Sequence, residues 1–284
     1  MHLIFQTNAQ NSFSKLAVSL SHPSDRNILE DRSQWKEIES ERKINSSTFL
    51  TPDGRTIIHC SKEPLNYYKN GVLSPINIIP IITSEGLTAN EQPFAVIVTK
   101  EGSVKIGNAI YSSETKLNGK KTGSSELSVK EGNVIMKDVI PGVDKTFEFH
   151  FNAVEYNYVL NHPITSAGQN LVIEENIIIP EDSKLQPDVE YGTASKNGWL
   201  GSLSIRSSSN EEIGHMRGAV CFDADKKYCP ASYKIENKNG KQTMKIIVPD
   251  AWINDPARVY PITLDPLVTG PTSTWGGSYI ASCL

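Results

Sequence analysis

The chain has 284 residues, 38% of them hydrophobic and 21% charged, and its 28 basic against 32 acidic residues give a formal net charge of −4. This is an ordinary globular composition, which excludes a largely disordered chain and offers no basic field for nucleic acid or anionic lipid. No apolar run approaches the roughly 18 residues of a membrane span, and a chain this long buries about 75% of its unfolded surface, so the core needs no metal or disulfide staple; no cofactor is expected.

At the N-terminus, Leu3-Ile4-Phe5 is apolar and Thr7-Asn8-Ala9 places small residues at the two positions a signal peptidase inspects. A full apolar region needs roughly 7–15 residues, so this reads as the back end of a signal peptide. The alternative is a cytoplasmic chain with an apolar first strand. Residues 11 to about 45 are polar. From Asp25 to Lys43 the only large apolar residues are Ile28, Leu29, Trp35 and Ile38, which leaves room for a short surface helix over Arg32 to Ser40. Residues 1–45 are therefore expected to be a signal-peptide remnant and a polar segment.

From Phe49 onward short apolar or alternating runs recur about every ten residues, with turn residues between them. The pattern predicts strands at Phe94–Thr99, Val104–Tyr111, Val134–Val139, Leu171–Ile179, Leu200–Arg206 and Gly214–Cys221. The clearest lies in Thr146–Phe151, where Phe147, Phe149 and Phe151 share one face and Thr146, Glu148 and His150 the other. Val154, Tyr156, Tyr158 and Leu160 repeat that alternation, so the two strands are expected to pair across Asn152-Ala153. Asn70-Gly71, Asn118-Gly119, Asn197-Gly198, Asn239-Gly240 and Asp53-Gly54 supply hairpin turns. The Asn239 turn is flanked by the β-rich runs Ser232–Glu236 and Thr243–Val248.

Cys221 and Cys229 flank a polar loop between two apolar strands, a setting for a disulfide that would contribute roughly 2.5 kcal/mol; two buried free thiols are the alternative. Cys60 reads as a small core residue, and Cys283 lies in the tail. No pair of cysteines has C-x-x-C spacing and the six histidines are scattered singly, so no metal site is expected.

Arg258-Val259-Tyr260-Pro261-Ile262-Thr263-Leu264-Asp265-Pro266 reads as a closing strand. Pro261 cannot donate a ladder hydrogen bond and points to an edge or a bulge, and Asp265 before Pro266 favours an extended exit. Structural roles for Tyr260 and Asp265 outweigh binding ones. Thr269-Gly270-Pro271-Thr272 begins a linker, and Trp275-Gly276-Gly277-Ser278-Tyr279 the next module. Many evenly spaced strands without alternating helices imply an all-β fold, a large antiparallel β-sandwich of supersandwich type over residues 46–268 with little helix. Residues 269–284 are the linker and the start of a truncated module.

Enzyme motifs are missing: there is no G-x-S-x-G elbow, phosphate-cradling Gly-Lys-Ser/Thr loop, H-E-x-x-H helix or G-x-G-x-x-G turn. Glu174, Glu175, Glu181, Asp182, Asp223 and Asp225 are the carboxylates that would serve glycosidic chemistry, but acids on strand edges and loops are usually solvated. Asp223-x-Asp225 has two oxygen ligands for calcium, opposed by Lys226-Lys227, and reads as a solvated turn. Tyr67, Tyr68, Tyr111, Trp199, Trp252 and Trp275 would form a carbohydrate platform only if exposed together, and in β proteins such rings more often fill cores.

Phe49-Leu50-Thr51-Pro52-Asp53-Gly54-Arg55, Pro64-Leu65-Asn66-Tyr67-Tyr68, Gly71 and Pro75-Ile76 resemble the opening of the large β region of secreted bacterial surface proteins, including wall-associated, Rhs/YD-repeat-type and DNRLRE-containing proteins. Val139-Ile140-Pro141-Gly142-Val143-Asp144 is similar to that region's middle signature. Trp252-Ile253-Asn254-Asp255-Pro256 with Arg258 to Pro266 is similar to its closing one. The likeness covers roughly residues 46 to 268, and Lys145 departs from it, standing where an aliphatic residue usually follows the aspartate. The resemblance implies a non-enzymatic scaffold, secreted or on the cell surface, whose partners are downstream modules of the same longer chain. The alternatives are an adhesin-like module that binds a surface carbohydrate or protein, and a β-sandwich polysaccharide hydrolase or lyase.

Overall fold

The computed structural model describes residues 32–271 except 62–63, 122, 124, 131–132 and 239–240. The apolar start, the tail with Trp275 and Cys283, and the Asn239-Gly240 turn lie outside the described residues. The rest divides into two compact units, the first comprising 32–79 with 91–93 and the second 80–90 with 94–271.

In the first unit, β1 (Lys36–Glu37), β2 (Ser46–Leu50) and β3 (Thr56–Cys60) form an antiparallel sheet, and β4 (Asn66–Lys69) and β5 (Val72–Pro75) a hairpin. The surface helix expected over Arg32 to Ser40 is replaced by two single 3-10 turns, Arg32–Gln34 and Glu39–Glu41, on either side of β1. Trp35 and Ile38 alone make no continuous helical stripe. Instead Trp35 meets the Phe49 ring at 6.1 Å, and β1 pairs with β2. Asn70 and Gly71 hold φ of 54° and 81°, as the tight β4–β5 turn requires.

The second unit begins with a five-stranded antiparallel meander of β6 (Ile81–Ile82), β7 (Gly86–Ala89), β8 (Val96–Thr99), β9 (Val104–Ile106) and β10 (Ala109–Tyr111). The single strand expected over Val104–Tyr111 is thus a hairpin folded at Gly107-Asn108. A 16-stranded antiparallel sheet follows. Its first half comprises β11 (Thr115–Leu117), β12 (Lys120–Lys121), β13 (Leu127–Lys130), β14 (Asn133–Ile140), β15 (Val143–His150), β16 (Ala153–Leu160), β17 (Leu171–Ile177) and β18 (Lys184–Ser195). The second comprises β19 (Gly198–Arg206), β20 (Glu212–Met216), β21 (Val220–Phe222), β22 (Tyr228–Pro230), β23 (Ser232–Lys238), β24 (Lys241–Val248), β25 (Ile262–Asp265) and β26 (Leu267–Thr269). One α-helical turn, Asp250–Ile253, connects β24 to β25. The expected all-β antiparallel sandwich is what the chain forms.

The ladder runs β17-β24-β23-β19-β20-β26-β16-β15, so β16 and β17 are far apart along the sheet. Side chains of β16 nevertheless hydrogen-bond to β17. The sheet therefore folds back and the two strands face each other across its interior. Alternation sets the inward faces: Lys145, Phe147 and Phe149 of β15; Val154, Tyr156, Tyr158 and Leu160 of β16; and Leu171, Ile173, Glu175 and Ile177 of β17 are all buried. β15 and β16 pair as expected, with the turn at Phe151-Asn152.

The expected β23–β24 hairpin is present. At the β18–β19 hairpin the turn falls on Lys196-Asn197, one residue before Asn197-Gly198, and Gly198 opens β19 at φ 135°. The Gly214–Cys221 run is broken into β20 and β21. The closing strand starts at Ile262, with Pro261 outside it, and β25 lies between β16 and β21 rather than at an edge. Asp265-Pro266 is a switch between ladders, since β26 continues on β16 but exchanges β21 for β20.

Candidate functional site

A group of ionisable side chains lies in the sandwich interior. Strand parity places Lys145 of β15 and Glu175 of β17 at inward positions among apolar residues, and Ser112 follows β10 at φ 58°. All three are buried. The Lys145 ammonium donates to the Gly102 carbonyl at 2.9 Å and to Ser112 Oγ at 2.7 Å. Ser112 passes the chain on, donating to Glu175 Oε1 at 2.9 Å. The Tyr158 hydroxyl donates to the same oxygen at 2.5 Å and that of Tyr156 to Oε2 at 2.6 Å. Thr115 Oγ1 closes the group 2.8 Å from Ser112 Oγ. The ammonium also lies 4.8, 5.2 and 5.3 Å from the ring centroids of Tyr156, Tyr158 and Phe147, within the range of cation–π attraction.

Burial pushes the Lys145 ammonium down to about 8, opposed by the Glu175 carboxylate. Burial, reinforced by the same carboxylate, holds both tyrosine phenols well above their ordinary range, so they remain donors. A carboxylate with three donors and an ammonium with two acceptors and three ring faces form a satisfied network, the condition under which buried charge is tolerated.

A serine bonded to a lysine is also the arrangement of a nucleophile and its base. The adjoining void is about 20 Å³, lined by Glu101, Thr115, Gly123, Met136, Val139, Lys145 and Tyr158, which is space for about one water. Ser112 itself does not line that void.

The carboxylates singled out from sequence are scattered. Only Glu175 joins this network. Glu174 faces Lys245, while Glu181 and Asp182 are exposed, Asp182 accepting from Ser208. Asp223 is buried, bonded to Arg258 at 3.0 Å and to the Lys227 amide at 2.9 Å, and Asp225 is exposed beside Lys227. The Asp223-x-Asp225 pair is thus divided between an internal ion pair and a solvated turn. Asp265 is pushed up to about 6 by burial, with Glu155 and Glu148 adding and Arg217 opposing.

The aromatic candidates are dispersed too. Tyr67 and Tyr111 are buried and Tyr68 is exposed on its hairpin. Trp199 donates to the Ser202 carbonyl, and Trp252 lies 4.9 Å under the Arg258 guanidinium. Cys221 stands directly opposite Cys229 in the β21–β22 pair, both as thiols. Burial raises both, while Arg258 opposes the rise at Cys229. Cys60 is half-buried at the end of β3.

Sequence reasoning passed over Ser112 and Thr115 here, and Asp188, Glu212 and His215, whose ligand-type atoms converge elsewhere. For Lys145 and Glu175 the signal was present, since each interrupts an otherwise apolar inward face. No family model matches the chain, and no curated protein matches it.

Proposed function

We propose that this chain is a non-enzymatic structural region of an exported bacterial surface protein, a rigid β-sandwich that holds neighbouring modules of a longer chain. The observation that carries this reading is the closure of the Ser112–Lys145–Glu175–Tyr156–Tyr158 group. The residues that would perform chemistry are spent on one another, and the adjoining void holds no more than a water. Such a network pins the two faces of a folded sheet in one register. The family resemblance over residues 46–268 and the apolar stretch at Leu3-Ile4-Phe5 support the surface location.

Among the described residues no helix is long and apolar enough to cross a membrane. The test has two arms. Surface proteolysis of intact cells expressing the complete open reading frame should release this region, and protection from protease would refute export. Purified chain incubated with a polysaccharide panel should release no reducing ends and give no saturable glycan-array signal. Turnover lost in Ser112→Ala would replace the scaffold with a hydrolase.

A further inference from the structure

A second polar cluster differs from the core network in having orphaned atoms. Asp188 of β18 and Glu212 and His215 of β20 bring two carboxylates and an imidazole within 4.8 Å of one another. Two irregularities in the ladder aim them. Between the pairs Pro187↔Leu203 and Gly192↔Gly201, residues Asp188, Val189, Glu190 and Tyr191 stand against Ser202 alone. On the other side of β19, Ile213 is the extra residue between the pairs Ile205↔Gly214 and Arg206↔Glu212. Bulges turn side chains away from the directions a regular ladder would give them. The first bulge is held by glycine: a Cβ on Gly201, at φ 135°, would lie 2.1 Å from the Tyr191 carbonyl oxygen.

Ser204, on the strand between, is directly opposite His215 and projects from the same face. It is 1% exposed, and its hydroxyl oxygen has no hydrogen-bond partner. Nδ1 of His215, equally shut off from solvent, has none either. Buried polar atoms are almost always paired, so two orphans beside two carboxylates mark the place of a partner that takes lone pairs. The opposing group is Arg206, whose guanidinium is 3.8 Å from Glu212 Oε2, beyond hydrogen-bond length. His215 Nδ1 is 3.8 Å from the same oxygen. One Asp188 oxygen accepts the Glu190 amide at 3.2 Å.

We propose that Asp188, Glu212 and His215 form a binding site for a first-row divalent transition ion of the Zn²⁺ class. One imidazole with two carboxylates suits that class, whereas calcium takes six to eight oxygens. Tetrahedral bonds of about 2.0–2.2 Å place ligand atoms about 3.4 Å apart, so the ion draws the three side chains together by about an ångström. The fourth position is left to water, and the Ser204 hydroxyl bonds to that water or to a ligand carboxylate, as outer partners of metal sites do. The bound ion would bridge β18 to β20 across β19.

The test is titration of the full chain, stripped with chelator, with Zn²⁺ by calorimetry and with Co²⁺ by visible absorption. The expected result is saturable binding near one equivalent, with a Co²⁺ ligand-field band. His215→Gln and Asp188→Asn should each weaken binding by about tenfold or more while keeping the metal-free circular dichroism. Arg206→Gln, which removes the competing cation, should tighten it severalfold. If the wild type shows no saturable binding, or if binding survives both ligand substitutions, the site is refuted. Loosening in Arg206→Gln would equally overturn it, because the guanidinium would then be supporting the ion rather than opposing it.

Discussion

The second unit holds two polar clusters in the same sheet that have reached opposite conditions. Around Lys145 and Glu175 the carboxylate meets three donors and the ammonium two acceptors and three ring faces, and the groups lie at inward positions of the sandwich. Around Asp188, Glu212 and His215 the strands bulge, glycine admits a close backbone approach, and the Ser204 and His215 atoms lack partners. Ionisable groups crowd together in both places, so density does not distinguish them; the state of their hydrogen bonds does. A satisfied buried network fixes a fold, and an unsatisfied one beside carboxylates leaves a position for a ligand.

Glu175→Ala tests the first cluster most severely. It strands the Lys145 ammonium and two tyrosine hydroxyls in the core and should cost about 3–5 kcal/mol in urea unfolding. The paired change Lys145→Met with Glu175→Gln should recover most of that loss. A paired variant as unstable as the single one would show that the network does not act as a unit.

Lys145 also sets a pH test. Its folded value of about 8 lies below the ordinary lysine value of 10.5, so between those limits the unfolded chain holds the proton more tightly than the folded one. Stability contributed through this group therefore rises with pH from about 8 to about 10.5, by an amount on the order of 3 kcal/mol in full. Cys221 and the buried tyrosines work in the opposite direction at higher pH, because burial keeps them protonated when folded. The quantity to measure is the difference in unfolding free energy between wild type and Lys145→Met from pH 7.5 to 9.5, which should rise with pH. A flat difference would mean that the ammonium is not desolvated.

The second cluster is sharpened by Gly201→Ala. The added methyl meets the Tyr191 carbonyl at 2.1 Å on a backbone that alanine disfavours, so the bulge carrying Asp188 must open. A loss of about 1–3 kcal/mol is expected, with hydrogen exchange increased over residues 187–192 and unchanged in β15 and β16. The smallest effect is that of Asp225→Asn. This carboxylate is exposed on the turn, and its removal should leave the unfolding midpoint where it was. A marked shift would show that the turn is more than a solvated link.

The inward faces of β15, β16 and β17 were legible because residues two apart share a face of a strand. The phenylalanines and tyrosines announce that parity, and the hairpins at Asn70-Gly71 and Asn118-Gly119 follow from the tolerance of Asn and Gly for positive φ. Breaks in long apolar runs were harder to see, as at Gly107-Asn108 and between Met216 and Val220, because an apolar run continues through a corner when both of its strands are buried. Glu175 was noticed as a carboxylate and Lys145 as a departure from a family pattern, yet neither alone shows what it bonds to. What they do depends on Ser112, 63 positions before Glu175 and 33 before Lys145.

The sequence alone determined the strand alternation, most of the turns and the all-β antiparallel class, because these depend on side-chain period and local backbone preference. Tertiary structure decided which distant strands face one another, which charges are enclosed and satisfied, and which carboxylates converge. Those outcomes come from the folding back of a long sheet and from bulges that shift its register, and no local pattern encodes the separation of two side chains far apart in the chain.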